Sequence, residues 1–254
     1  MPVTFVFDMI SVNCKTGTIM KKILLCVFLI YTNTAYSSDC DFDTQDPALC
    51  AAANGGDAGA QVTIGSYYYY GNGAPKDYKT AADWYTKAAV QGNEYAQYSL
   101  GEMYFQGEGV PQDYQQAIEW FHKSGEQGNA GAQFRLGSIY EDGDGVSPDF
   151  LKAAEWHKKA AEQGNAFSQY QFAEMNYHGK GIERNYRAAA EWYKKAADQK
   201  YAFALVKLAE MYLLGEGIEK SKSKAKSLFG EACSGGFKPA CDSFHKLNSN
   251  EPKL

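Results

Sequence analysis

Residues 93–128 read NEYAQYSLGEMYFQGEGVPQDYQQAIEWFHKSGEQG, and this segment decides the fold because its skeleton recurs along the chain. Trp120 has counterparts at Trp84, Trp156 and Trp192, each 36 residues from the next, and the chain has no other tryptophan. Glycine keeps the same period. Gly107 belongs to the column Gly71, Gly107, Gly143, Gly179 and Gly215, and Gly109 to the column Gly73, Gly109, Gly145, Gly181 and Gly217. A period of this length marks stacked supersecondary units. In such an array each unit touches mainly its neighbours, so function is expected on a long surface and not in a closed pocket.

Read at this period, the chain holds five units, 57–92, 93–128, 129–164, 165–200 and 201–236, each with two helical patterns. The first helix opens after Asn93, Asn129 or Asn165, whose side chains can accept from the free amides of a helix start. It stops at the Gly107 column, where a left-handed residue closes a helix without a Cβ penalty. The second helix opens at Asp77, Asp113, Asp149, Asn185 and Ser221, all N-cap formers, and closes at Gly92, Gly128, Gly164 and Gly236, with Lys200 the exception. Small columns, Ala60 to Ala204 and Ala81 to Ala225, let neighbouring helices approach. Large columns, Ile64, Leu100, Leu136, Phe172 and Leu208 together with the tryptophans, fill the space between them. The fold class is all-α, an α-solenoid of helix-turn-helix repeats.

The run Ala96-Gln97-Tyr98-Ser99-Leu100-Gly101-Glu102-Met103-Tyr104, then Gly107-Glu108-Gly109-Val110, Asp113-Tyr114-Gln115-Gln116-Ala117 and Trp120-Phe121, resembles the Sel1-like repeat, a relative of the tetratricopeptide repeat with a longer interhelical loop. The resemblance covers residues 57–236. The fifth unit departs most, with Leu228 in place of Trp, Lys222 in place of Tyr, and polar Lys226 and Ser227. A terminal repeat needs a polar outer face, so this unit is expected to act as a cap. Residues 38–56 are expected to form an N-terminal partial repeat, with 47–56 resembling the end of a second helix. Residues 237–254 are expected to form a capping helix and tail.

Residues 20–37 have the pattern of a secretory signal: Lys21 and Lys22, a nine-residue apolar run Ile23–Tyr31, and small residues at Ala35 and Ser37. Residues 1–19 then read as an extension upstream of the true start. Cleavage after Ser37 would remove Lys15, Lys21, Lys22 and Asp8, taking the net charge from −5 to −7. That balance disfavours nucleic acid and anionic membrane as partners. No lipobox flanks Cys26 or Cys40, so no lipid anchor is expected, and the product is expected in the periplasm or outside the cell, as a monomer. The basic run Lys220–Lys226 reads as a solvated helix face.

The mature chain would keep Cys40, Cys50, Cys233 and Cys241, and an even count in an exported chain reads as disulfides. Three pairings are possible. The distance between the two clusters favours Cys40–Cys50 and Cys233–Cys241, and zinc-type spacing is absent. Secreted cysteine-rich Sel1-like proteins, which the last units resemble, join a second helix to the next first helix in the way that Cys233–Cys241 would.

Some of those relatives are described as penicillin-binding proteins or weak β-lactamases. Serine β-lactamases need Ser-x-x-Lys, Ser-Asp-Asn and Lys-Thr-Gly together. Here Ser-x-x-Lys occurs at Ser221, Ser223 and Ser243, Ser-Asp-Asn is missing, and Lys15-Thr16-Gly17 lies upstream of the signal. The histidines His122, His157, His178 and His245 sit in different columns and make no metal-binding spacing. No catalytic residue, metal or cofactor is expected; the alternatives to a protein-binding scaffold are a penicillin-binding or weak β-lactamase-like hydrolase of the cysteine-rich Sel1-like type and a peptidoglycan- or glycan-binding scaffold.

The resemblance to tetratricopeptide repeats implies that positions two, five, nine and twelve of each first helix line a concave groove, and steps of three, four and three do share one helical face. The second unit then offers Tyr95, Tyr98, Glu102 and Phe105, and the fourth Phe167, Tyr170, Glu174 and Tyr177. Tyr69, Phe134, Phe203 and Glu210 complete the candidate set. Aromatic rings supply contact area with few rotors, and the Ser66, Glu102, Ser138, Glu174 and Glu210 ladder suggests a protein or peptide ligand with basic and apolar side chains. The competing reading is that these rings only pack between repeats.

Overall fold

A computed structural model describes residues 47–249, all within the unit Phe42–Leu254. The proposed signal, the upstream extension and Cys40 lie outside the described residues. A short α1 (Pro47–Asn54) is followed by five helix pairs: α2 (Ala58–Tyr70) with α3 (Tyr78–Val90), α4 (Glu94–Gln106) with α5 (Tyr114–Glu126), α6 (Ala130–Asp142) with α7 (Phe150–Glu162), α8 (Ala166–His178) with α9 (Tyr186–Asp198), and α10 (Ala202–Leu214) with α11 (Lys222–Ser234). α12 (Lys238–Ser249) ends the array. Each helix packs on its neighbours in sequence, as expected for a solenoid of helical repeats.

The caps follow from side-chain chemistry. Asp57, Asn93, Asn129 and Asn165 accept from the amide three residues on, at 2.7, 3.0, 2.9 and 2.8 Å. In the fifth pair Tyr201 takes this place and makes no side-chain cap. Asp77, Asp113, Asp149, Asn185 and Ser221 cap the second helices. The first helices close on left-handed glycines, as read from the sequence. The second helices close one residue earlier than the glycine column suggested. Their C-caps are Gln91, Gln127, Gln163, Gln199 and Gly235, and the left-handed residue follows, with Lys200 adopting φ 65° where the others have glycine.

Two further glycines have steric causes. At Gly109, φ +73°, an added Cβ would stand 2.2 Å from the Tyr78 carbonyl oxygen. The interhelical loop of one unit therefore rests on the start of the preceding unit's second helix, and only glycine permits that approach. At Gly101 a Cβ would meet the Phe121 ring at 2.7 Å, so glycine lets the two helices of a unit close on each other.

Trp84 and Trp156 are buried, while Trp120 and Trp192 are half-buried. Each carries a lysine ammonium over its ring, Lys87, Lys123, Lys159 and Lys195, at 3.9, 3.9, 3.8 and 3.6 Å. The lysine stems thus cover the edge of the core and keep their charges in water.

Between units runs a buried amide ladder. Gln61, Gln97, Gln133 and Gln169 are about 5% exposed and donate to the carbonyls of Ala53, Ala89, Gly125 and Ala161 at 2.9–3.1 Å. Their own oxygens accept from Gln91, Gln127, Gln163 and Gln199 at 2.7–2.8 Å. The ladder ends where Leu205 and Gly235 occupy the two columns. α1 supplies the Ala53 carbonyl, so it stands in for a second helix before the first pair. At the other end, Cys233 and Cys241 form a disulfide between α11 and α12. Cys50 is also disulfide-bonded.

Candidate functional site: the first-helix face

The first helices present positions two, five, nine and twelve on one side, and the rings there meet across units in a specific order. Position five of one unit reaches position two of the next. Phe134 meets Phe167 with centroids 5.0 Å apart, and Tyr170 meets Phe203 at 6.1 Å. Tyr201, just before α10, touches Phe167, Tyr170 and Phe203. Phe203 continues to Phe237 at 5.0 Å. The result is one ribbon of touching rings from Phe134 to Phe237. Phe167 is 39% exposed and Phe203 is 50% exposed, so the ribbon keeps open surface while its inner members brace it.

The ribbon does not extend to the second unit. Tyr98 reaches toward position two of the third unit, which is Gly131, and its ring lies 3.2 Å from where that residue's Cβ would be. Tyr95 is 62% exposed and stands apart from the other rings. Position-twelve rings pack on the first residue of their own second helix: Tyr69 on Tyr78, Phe105 on Tyr114 and Tyr177 on Tyr186. Tyr69 Oη and Tyr177 Oη donate to Glu108 and Glu216 in the next unit's loop, both at 2.6 Å. That bond, and then burial, pushes the Tyr177 hydroxyl up to about 12. Burial, then nearby Glu174, raises Tyr170.

The acidic ladder is largely matched within the fold, which differs from the sequence reading. Glu102 takes a two-pronged contact from Arg135, Nε to Oε1 at 2.5 Å and the terminal nitrogen to Oε2 at 2.6 Å. Glu174 accepts from Tyr193 Oη and lies 3.4 Å from His178 Nε2. Glu210 lies 3.7 Å from Lys207. A surplus of carboxylates was the basis for expecting a basic ligand along the whole face, and Arg135 and Lys207 remove much of it.

The third unit adds a polar cluster that periodicity concealed. Glu141 stands at position twelve, where other units have Tyr, Phe or Leu. It accepts from Lys180 at 2.9 Å and from Gln171 at 3.0 Å. His157, fully buried in a column otherwise of Tyr85, Phe121, Tyr193 and Phe229, has Nε2 3.5 Å from Glu141 Oε2. That is the outer edge of hydrogen-bond reach, and neither ring nitrogen has a formed hydrogen bond. The close approach of the His157 ring first, then the formed hydrogen bond and charge of Lys180, pull Glu141 down to about 2. The departure of both residues from their columns was the available sequence signal.

Ser221 Oγ caps α11 through the Lys224 amide. His122 bonds Tyr140 Oη at 2.9 Å. Among the described residues no group of three or more His, Cys, Asp or Glu side chains could hold a metal. Among them, too, no helix is long and apolar enough to cross a membrane.

Comparison with known proteins accords with this architecture. The family model described as Sel1 repeat matches five times, at residues 58–93, 94–129, 130–165, 166–201 and 202–237. The chain is similar to a protective antigen of uropathogenic Escherichia coli with an SLR fold, at 37% identity and TM-score 0.76. That match covers 78% of this chain and 43% of the antigen, so this chain spans less than half of the antigen's length. It is also similar to a Sel1 repeat protein from Oxalobacter formigenes, at 33% identity and TM-score 0.65, over 72% of this chain and 75% of that one. Helicobacter pylori cysteine rich protein B matches at 26% identity and TM-score 0.41, over 51% of this chain and 92% of that protein. No curated protein matches the sequence.

Proposed function

The chain belongs to the Sel1 repeat family, and on that premise we propose that it is an exported scaffold binding an extended polypeptide segment along the groove of its first helices. The observation that carries the reading is the ribbon from Phe134 to Phe237, with Phe167 and Phe203 exposed on it. A ring line spanning three units offers a rigid apolar track at little entropic cost. Rings desolvated at the centre of an interface are worth about 2 kcal/mol or more each. Export rests on the signal pattern of residues 20–37, with cleavage near Ser37. The Cys233–Cys241 bridge suits a periplasmic or extracellular location, since structural disulfides persist in oxidising compartments.

Random dodecapeptides selected on the full chain test the proposal. The expected result is that selected peptides lose binding to Phe167→Ala/Phe203→Ala, while helicity and melting stay as in the parent. These two rings suit the test better than Tyr98 and Tyr170, which are half-buried. Retained binding by the folded double variant refutes the groove.

A further inference from the structure

We propose that the cleft between the first two repeats is an arginine-binding site, taking one arginine side chain of the bound polypeptide between Tyr69 and Tyr98. The inference rests on the reading that the first-helix face binds a polypeptide, and it names the chemistry recognised at one end of that face.

Position six of the first helices carries Thr63, Ser99, Arg135, Gln171 and Lys207. From the third unit onward this side chain is long and reaches a carboxylate. Arg135 reaches Glu102 of the preceding unit, Gln171 reaches Glu141, and Lys207 reaches Glu210. In the second unit the residue is Ser99, which is too short to reach. A cleft of about 220 Å3 opens there, lined by Tyr69, Tyr70, Tyr85, Tyr98, Ser99 and Glu102.

The next repeat shows what such a frame accommodates. Arg135 places its guanidinium 5.6 Å from the Phe105 centroid and 5.9 Å from that of Phe134, with Glu102 at its tip. One repeat earlier, Tyr69 stands at the Phe105 position, Tyr98 at the Phe134 position and Ser66 at the Glu102 position. The two flanking rings remain, and the guanidinium is missing.

Ser66 Oγ and Tyr85 Oη lie 3.1 Å apart, and with Ser99 they offer hydroxyl acceptors to a forked donor. Glu102 lines the wall with its carboxylate already shared with Arg135, and Glu108 is one hydrogen bond from the Tyr69 ring. Lys76 sits 4.5 Å over Tyr78 and does not line the cleft. A planar, delocalised cation stacks on ring faces and donates in several directions, which an ammonium does less well. The volume is below the ~300 Å3 at which small-molecule sites begin and suits a single side chain.

The test titrates Nα-acetyl-arginine amide, Nα-acetyl-lysine amide and Nα-acetyl-citrulline amide into 15N-labelled full chain, reading the amide shifts of Tyr69, Tyr98 and Ser99. Saturable shifts with arginine are expected, with citrulline, of the same shape but uncharged, at least tenfold weaker and lysine in between. Ser99→Arg and Ser99→Lys install residues that the column already carries, so the fold should persist and the arginine shifts should vanish in both. Equal responses to arginine and citrulline overturn the proposal, as does an arginine response that survives in either folded variant. Phe167→Ala/Phe203→Ala should leave the arginine shifts intact. Peptide capture on the ribbon without arginine selectivity at the cleft would therefore sink this inference alone.

Discussion

Replacing Gln133 by alanine probes the amide ladder directly. Its side chain is 5% exposed, donates to the Gly125 carbonyl at 2.9 Å and accepts from Gln163 at 2.7 Å. Alanine removes both bonds and leaves a cavity. Neither partner is wholly stranded, because Gly125 O still accepts from Gly128 at 3.1 Å and Gln163 still donates to the Gly128 carbonyl at 2.8 Å. Two hydrogen bonds at about 1 kcal/mol each, with a modest cavity contribution, give a loss of about 2–3 kcal/mol. For an array of this size that is a fall in Tm of about 4–12 °C. Equilibrium urea unfolding, followed by far-UV circular dichroism and by tryptophan fluorescence, measures it. Gln115→Ala is the control, since Gln115 is exposed and makes one interrepeat bond, to Gly145 O at 2.6 Å. It should cost less than about 0.5 kcal/mol. If Gln133→Ala falls within that same margin, or the two variants lose equally, the ladder does not hold the units together.

Three further outcomes follow from the packing. Gly109→Ala, facing the Tyr78 carbonyl at 2.2 Å, should cost at least about 2 kcal/mol in urea unfolding, whereas Gly92→Ala, with φ +91° and nothing within 4 Å, should cost about 1. Because Glu141 is pulled below its ordinary value to about 2, its contribution is full above the ordinary carboxylate range and is lost as pH falls through about 2. Acid titration of stability should therefore be shallower in Glu141→Gln than in the parent, and identical curves would refute the assignment. Cys233→Ser/Cys241→Ser should lower stability by about 2–3 kcal/mol, with hydrogen exchange rising first in α11 and α12, and an unchanged exchange pattern would contradict a pinning role.

The fold was legible because the four tryptophans fall only at the 36-residue period, two sets of glycines keep that same period, and Asn93 or Asp113 announce helix starts by their own chemistry. The ladder was not, although Gln61, Gln97, Gln133 and Gln169 keep the same period. A polar side chain near a helix start reads as solvated until its partners are seen, and here those partners lie 30 residues away and eight residues back. The face was legible as a set of residues and not as a path. Position five carries Tyr98, Phe134 and Tyr170, but the rings meet diagonally, from position five to position two of the next unit, so Gly131 interrupts the path. Compensation of Glu102 by Arg135 likewise depends on a contact across units that no single helix displays.

A crystal structure of the full chain with a selected dodecapeptide decides whether the ribbon from Phe134 to Phe237 is a polypeptide track. The expected structure has an extended peptide crossing the third to fifth units, with Phe167 and Phe203 losing most of their exposure. A peptide seated instead on the Trp–Lys column, with both phenylalanines still open to solvent, would contradict it.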